Sequence, residues 1–288
     1  MLALIRKYGV VEAAIISVVI TFTVVVQLLF GALPVELFSF PLNIIIMVLW
    51  LTLLSDLYRR RSSSAISKYM LSMRATWLSL LLVAGVGILL GLQSKPASTS
   101  WFVVVSLLFT LSHLWLVTLR GWRNKQGIRL RFILTHLGLW LALAAGFWGA
   151  PDRVEWRMAI DTSEATDCGF NQMGQPVVID YTIQLLDFEV EYYDNGTPAN
   201  YNAKVDIEGE EVTLEVNKPY NRNWYETIYL VNHGNSPDTG VYCIVEIVRE
   251  PWRWLSATGI VMLIIGAVML FIRGPQHNKS GNLKQSEL

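Results

Sequence analysis

Two cysteines and four histidines are all that this chain of 288 residues offers to thiol or imidazole chemistry. Cys168 and Cys243 are not a C-x-x-C pair, so a thiol-redox centre is not expected. No glycine-rich phosphate loop, metalloprotease helix motif or Ser-His-Asp order is present, and no basic patch of the kind that binds nucleic acid. Acidic residues are almost missing outside one segment: 19 of the 23 lie between Pro151 and Glu250, where only 6 of the 23 basic residues fall. Paired carboxylates for hydrolysis cannot be told from the solvated faces of that acidic segment. No catalytic constellation emerges.

What the chain has in excess is apolar length. Hydrophobic residues make up 53% of it, in six runs at roughly 10–32, 38–54, 75–92, 100–119, 132–149 and 252–272. Each is near the length a bilayer requires, which predicts a polytopic α-helical membrane protein. Basic clusters fall on every second loop: Arg6 and Lys7; Arg59 to Arg61, Lys68 and Arg74; Arg120, Arg123, Lys125, Arg129 and Arg131; then Arg273, Lys279 and Lys284. Lys and Arg stay on the cytoplasmic side of short loops, so both termini are expected in the cytoplasm and the acidic segment outside. Residues 1–149 read as a five-span membrane domain, 150–251 as an extracytoplasmic domain, 252–272 as the closing span and 273–288 as a cytoplasmic tail. The first run lacks a small-x-small cleavage pattern after it and is expected to act as a signal anchor. Glu12 reads as a helix-end residue, and Gly87-x-x-x-Gly91 as a helix-packing signal.

The external segment alternates like β structure. Asp187, Glu189 and Glu191 oppose Phe188, Val190 and Tyr192, and Asp194-Asn195-Gly196 supplies a hairpin turn. Residues 211–216, 228–231 and 241–248 are further strand candidates, giving one antiparallel sheet or sandwich. Both cysteines lie here, in an oxidising compartment, and a structural disulfide between Cys168 and Cys243 is expected.

Ionisable residues inside a bilayer are costly and tend to mark sites, which singles out His113 and His136. His113 lies seven residues before Arg120 and His136 five after Arg131, so both sit at about the same depth, roughly 7–11 Å from the cytoplasmic boundary. Zinc would require three or four ligands, and no cysteine or acid shares that depth. Haem requires one or two axial imidazoles and apolar walls, which makes it the best-fitting cofactor. Trp140 falls on the His136 side of the helix as a candidate pocket wall, and Gly138 and Ala142 would leave room beside it. Packed helices lie too close to hold a macrocycle between them, so either the spans splay or His136 shares its haem with another subunit. His233, in a Gly/Asn/Ser/Pro-rich stretch, and His277, in the tail, read as surface residues.

The run Phe132-Ile-Leu-Thr-His136-Leu-Gly-Leu-Trp140 is followed by Phe188-Glu-Val-Glu-Tyr-Tyr-Asp-Asn-Gly196-Thr-Pro198, by Leu214-Glu-Val-Asn217-Lys-Pro219-Tyr220, and by Glu250-Pro-Trp252 entering the last span. In that order these motifs resemble the ResB (CcsB) family of cytochrome c biogenesis proteins, over roughly Phe40 to Phe271 and most closely from His136 onward. The resemblance implies a role in the system II pathway in a bacterial inner membrane. There a CcsA-type partner and this subunit take haem from the cytoplasmic side, move it outward, keep it reduced and present it to apocytochrome c. It implies His136 as an axial haem ligand, with the partner supplying the other, and a subunit that is incomplete alone as a haem-attaching enzyme. His113 is then a spare ligand, a neighbour of the ligand or a polar contact. The acidic domain would repel haem propionates and is expected to meet the partner or apocytochrome c. Three other readings stay open: a b-type haem electron-transfer subunit with His113 and His136 as an axial pair, a ligand-sensing membrane protein, and a transporter.

Overall fold

The structure is a computed structural model that describes residues 2–61, 63–92, 100–122, 130–192, 194–195, 198–236 and 240–273. Gly196 and Thr197, the basic residues Arg123, Lys125 and Arg129, and the tail with His277, Lys279 and Lys284 lie outside the described residues, as does the side chain of Glu12. The chain forms two compact units, Met1–Ala150 with Leu255–Leu288, and Pro151–Trp254.

The first unit is helical: α1 (Leu2–Phe30), α2 (Leu42–Arg60), α3 (Ala65–Met70), α4 (Met73–Leu92), α5 (Trp101–Trp122), α6 (Leu130–Gly149) and α7 (Arg253–Arg273). All but α3 are long and apolar enough to cross a membrane, six helices among the described residues. These helices show large apolar side chains on their outer surfaces, as lipid-facing helices do. The short α3 has no apolar run of its own to announce it. Ser64 starts it by accepting a bond from the Ser67 backbone N–H at 3.2 Å.

α5 is the hub of this unit, packing against α1, α2, α4 and α6. Polar side chains fix the contacts. Trp50 on α2 donates its indole N–H to Ser112 Oγ at 3.1 Å, and Trp115 on α5 donates to Ser55 Oγ at 3.1 Å. Trp101 opens α5 with its backbone N–H on Gln27 Oε1 and its indole N–H on the Gly31 carbonyl. Gly31 holds a φ of +72°, the left-handed end that glycine gives a helix. Buried Asn43 ties the start of α2 to the end of α6 through the Trp148 carbonyl, at 2.9 Å. Gly87 and Gly91, expected to seat a neighbouring helix, meet nothing within 4 Å of where a Cβ would stand. The small-residue seam lies elsewhere, between α6 and α7. A Cβ on Gly138 would stand 2.7 Å from the Gly259 carbonyl, and one on Gly259 would stand 2.5 Å from the Ala142 backbone N.

The second unit is a single antiparallel sheet of eight strands: β1 (Val154–Asp161), β2 (Thr166–Phe170), β3 (Pro176–Tyr192), β4 (Pro198–Ile207), β5 (Glu210–Glu215), β6 (Tyr220–Asn221), β7 (Glu226–Ser236) and β8 (Gly240–Arg249). Their order is β5-β4-β3-β2-β1-β8-β7-β6. The sheet folds over so that β5 packs on β7, with Met158, Ile183, Val205, Leu214, Ile228, Val245 and Ile247 enclosed between its halves. β4 and β5 join through Glu208 and Gly209, both at positive φ, a two-residue turn whose twist suits the strands. β1 pairs with β8 from Val154↔Arg249 onward, so the two ends of the domain emerge side by side. Trp252 clasps them by donating its indole N–H to Asp152 at 2.6 Å.

One buried charge cluster pins the folded sheet. Glu226 is fully buried, and its carboxylate accepts from the Arg249 guanidinium and from Arg222 at 3.2 Å. Arg249 continues to Asp180 and lies 4.8 Å from the Trp156 ring; Arg222 continues to Glu208 at 2.8 Å and stacks 3.9 Å over Tyr181. The bond from Arg249 holds the Asp180 carboxyl below the ordinary carboxylate range, and burial pushes the Tyr181 phenol up.

The expected bridge between Cys168 and Cys243 is not made: both are free thiols. Cys168 is exposed on β2, while Cys243 is buried on β8, and β1 runs between those strands. Cys243 pairs with the inward Ile160, whereas Cys168 faces outward beside Val178, so the two project from opposite faces. Burial pushes the Cys243 thiol up to about 12. His233 also departs from its surface reading. It stands on β7 opposite Cys243, with its ring 4.8 Å from Phe188 and 5.0 Å from Tyr201 at one end of the core.

Candidate functional site

α6 has three differently occupied faces, because its residues fall at about 100° intervals. Ile133, Trp140 and Ala144 are buried toward α5. Thr135, Gly138 and Ala142 take the backbone of α7. The small residues expected to leave room beside the histidine thus make the α6–α7 seam instead. The remaining face carries Phe132, His136, Leu139, Leu143 and Phe147; Leu143 and Phe147 are half-buried against the α5–α6 core, and Leu139 is exposed.

His136 is half-buried on that face. Its Nδ1 lies 2.9 Å from the Phe132 carbonyl, one turn earlier, which can only accept; Nδ1 therefore carries the proton and donates. Thr135 Oγ1 also lies 3.1 Å from Nδ1. The opposite nitrogen, Nε2, is left with its lone pair, and it meets no hydrogen-bond partner among the described residues. A backbone carbonyl that fixes the tautomer in this way is how a protein prepares an imidazole to bind a metal ion through its other nitrogen. Phe132 holds the ring from its flat side, with centroids 3.9 Å apart and planes 22° apart. Phe132 itself rests where a Cβ on Gly121 of α5 would stand 2.1 Å from its ring, so only glycine fits there.

His113 is different. It is 3% exposed, and both ring nitrogens are engaged, Nδ1 with the Met70 carbonyl at 2.6 Å and Nε2 with Thr76 Oγ1 at 3.2 Å. Arg120, two turns on, donates to the Leu71 carbonyl at 2.8 Å. Together they fasten the α3–α4 corner to α5. Trp140, read as a pocket wall, is buried; its indole N–H donates to the Leu111 carbonyl at 3.1 Å and its ring lies 5.2 Å from Trp115. It holds α6 against α5 one turn from His136. Phe132 stands four residues before the histidine, one helical turn, and that spacing is the sequence signal for its supporting role.

Among the described residues no group of three or more His, Cys, Asp or Glu side chains is placed to hold a metal ion. One imidazole so prepared could serve as a single axial ligand to a group that brings its other ligands with it. Residues 127–246 match the model of the ResB-like family. No curated protein matches the chain. The matched stretch includes α6 with His136 and Trp140, and the β domain as far as Glu246 on β8; His113 lies outside it. Over residues 127–246 the chain is similar to ResB-like proteins.

Proposed function

We propose that this chain is the membrane subunit of a system II cytochrome c biogenesis assembly, in which it holds haem within the membrane through His136 and helps to present it for attachment to apocytochrome c. The observation that carries this reading is the contrast between the two intramembrane imidazoles. Among the described residues Nε2 of half-buried His136 meets no partner, and His113 has both nitrogens bonded inside the bundle.

When bound, haem supplies the vinyl groups that form thioethers with a cytochrome. The residues of this chain do the holding: the Phe132 carbonyl keeps the proton on Nδ1, Phe132 limits rotation of the ring, and exposed Leu139 offers an apolar side chain one turn along. An intrachain axial pair would require His113 to leave Thr76 or Met70, at the cost of a buried polar group without a partner. That favours a second ligand from a CcsA-type partner. The segregation of charge supports cytoplasmic termini and an external β domain in a bacterial inner membrane. The acidity of the domain supports a role in meeting protein partners, apocytochrome c among them, over binding the anionic propionates.

The test is the absorption spectrum of the detergent-purified full chain, alone and co-expressed with a CcsA-type partner, as wild type, His136→Ala and His113→Ala. A low-spin haem spectrum that requires the partner, survives His113→Ala and disappears with His136→Ala is the expected result. A spectrum from the chain alone that is lost with either substitution would replace this reading with a b-type electron-transfer subunit.

A further inference from the structure

The packed face between α4 and α5 carries a row of polar side chains. His113, Thr110 and Ser106 follow one another down one side of α5 at spacings of three and four residues, and Thr76 and Ser79 do so on α4. The helices run antiparallel, with Thr76 opposite His113 at 3.2 Å. At about 1.5 Å of rise per residue, Ser79 is therefore level with Thr110, and Ser106 lies about 6 Å farther along. Four of the five residues are buried, with Ser79 at 5% and Ser106 at 0% exposure.

Their bonds are unequal. Thr110 donates to the Ser106 carbonyl at 2.9 Å, and His113 and Thr76 bond each other. The hydroxyls of Ser79 and Ser106 have no partner among the described residues. Inside a membrane-spanning helix pair an unpaired hydroxyl carries a cost that water is well suited to remove, because one molecule can both donate and accept. A single orphan hydroxyl would be a local accident. Two on one seam, level with and below a threonine oxygen whose lone pairs stay available, line it with groups that water can satisfy.

We propose that the α4–α5 seam binds ordered water, in a short file that bridges the Ser106 and Ser79 hydroxyls and reaches the Thr76–His113 pair. His113 is then the inner end of a hydrated path as well as a structural contact, and its Nε2 exchanges protons with water that does not come through the lipid-facing surface. The file also joins α4 to α5 by hydrogen bonds that can be remade as the helices shift, which direct side-chain bonds between them would not allow.

Water-edited solid-state NMR on the full chain in lipid vesicles tests this. Isotope-labelled protein is expected to show early magnetisation transfer from water to Ser79, Ser106, Thr110 and the His113 ring, and little to lipid-facing Leu81. In Ser79→Ala/Ser106→Ala the transfer to Thr110 is lost while the backbone shifts of α4 and α5 stay in place. Should the double variant fail to fold, Ser79→Ala alone is expected to weaken the same signals. Transfer to Ser106 and Thr110 in the wild type no faster than to Leu81 overturns the proposal, and so does undiminished transfer in the folded double variant.

Discussion

The imidazole of His136 and the backbone carbonyl of Phe132, 2.9 Å apart on consecutive turns of α6, form a unit that decides which ring nitrogen of the histidine is free. The ring of the same Phe132 lies flat against the imidazole. One residue thus sets both the tautomer and the plane of the other.

The first prediction concerns the two intramembrane histidines. His136→Ala is expected to abolish haem retention in the co-expressed assembly with little change in the melting temperature of the protein. His113→Ala is expected to retain haem but to destabilise the helical unit by about 1–3 kcal/mol, since it removes the partner of the Met70 carbonyl and leaves the Thr76 hydroxyl only its long bond to the Ser72 carbonyl. Spectra and thermal melts of both variants in detergent decide it; a destabilised His136→Ala with an unaffected His113→Ala would reverse the assignment.

Helix packing gives a second. Gly138→Ala places a Cβ within 2.7 Å of the Gly259 carbonyl and 2.8 Å of the Leu263 backbone N, where no flexible side chain can yield. A loss of about 1–3 kcal/mol is expected from overpacking. Gly146→Ala, at an exposed position of the same helix, meets nothing within 4 Å and is expected to be neutral. Comparable melts for the two substitutions would contradict the α6–α7 seam.

The two thiols should behave unlike each other. In the native protein Cys168 is expected to react readily with a maleimide, while buried Cys243 reacts only after unfolding, so native labelling stops at one thiol per chain. Mobility on a non-reducing gel is expected to match that of the reduced protein. Labelling of neither native thiol, together with a shift on reduction, would reinstate the bridge.

Cys243 also predicts an alkaline limit. Its folded-state pKa is raised by burial from 9.0 to about 12, so the folded domain holds a proton that the unfolded chain releases. The contribution is fully present below about pH 9 and is lost as pH rises toward 12. Stability against urea should therefore decline across that window, and Cys243→Ala should flatten the part of the slope that this thiol causes. An unchanged slope in the variant would assign the decline to other groups.

Glu226 supplies the last. Its fully buried carboxylate stands between Arg222 and Arg249, and Glu226→Ala leaves two guanidinium groups facing a vacated apolar site. Removing one partner of such a buried cluster costs about 3–5 kcal/mol, which urea unfolding of the full chain, followed at the β signal, should show. A cost below about 1 kcal/mol would mean that solvent screens the cluster as it does surface pairs.

Sequence by itself determined the class of the protein. Runs of apolar residues long enough for a bilayer force helices, because a backbone in lipid must satisfy its own hydrogen bonds, and alternation forces strands around the acidic segment. It also singled out His136, since an ionisable residue in such a run is rarely idle. What it could not reveal was phase and partnership. Ile179, Tyr181, Ile183 and Leu185 alternate inward along β3, but a bulge between Leu185 and Asp187 shifts the alternation, so that only the stretch from Asp187 read as a strand. The cysteines suggested a bridge because both lie in one external domain, and only the order of strands sets them on opposite faces with β1 between. Spacing gives the two histidines the same depth. Their difference in bonding depends on which helices pack around α5 and α6: α3 and α4 bring Met70 and Thr76 to both nitrogens of His113, while Nε2 of His136 meets no partner among the described residues. Spacing along one chain fixes what each residue shares a turn with, and only packing fixes what stands across from it.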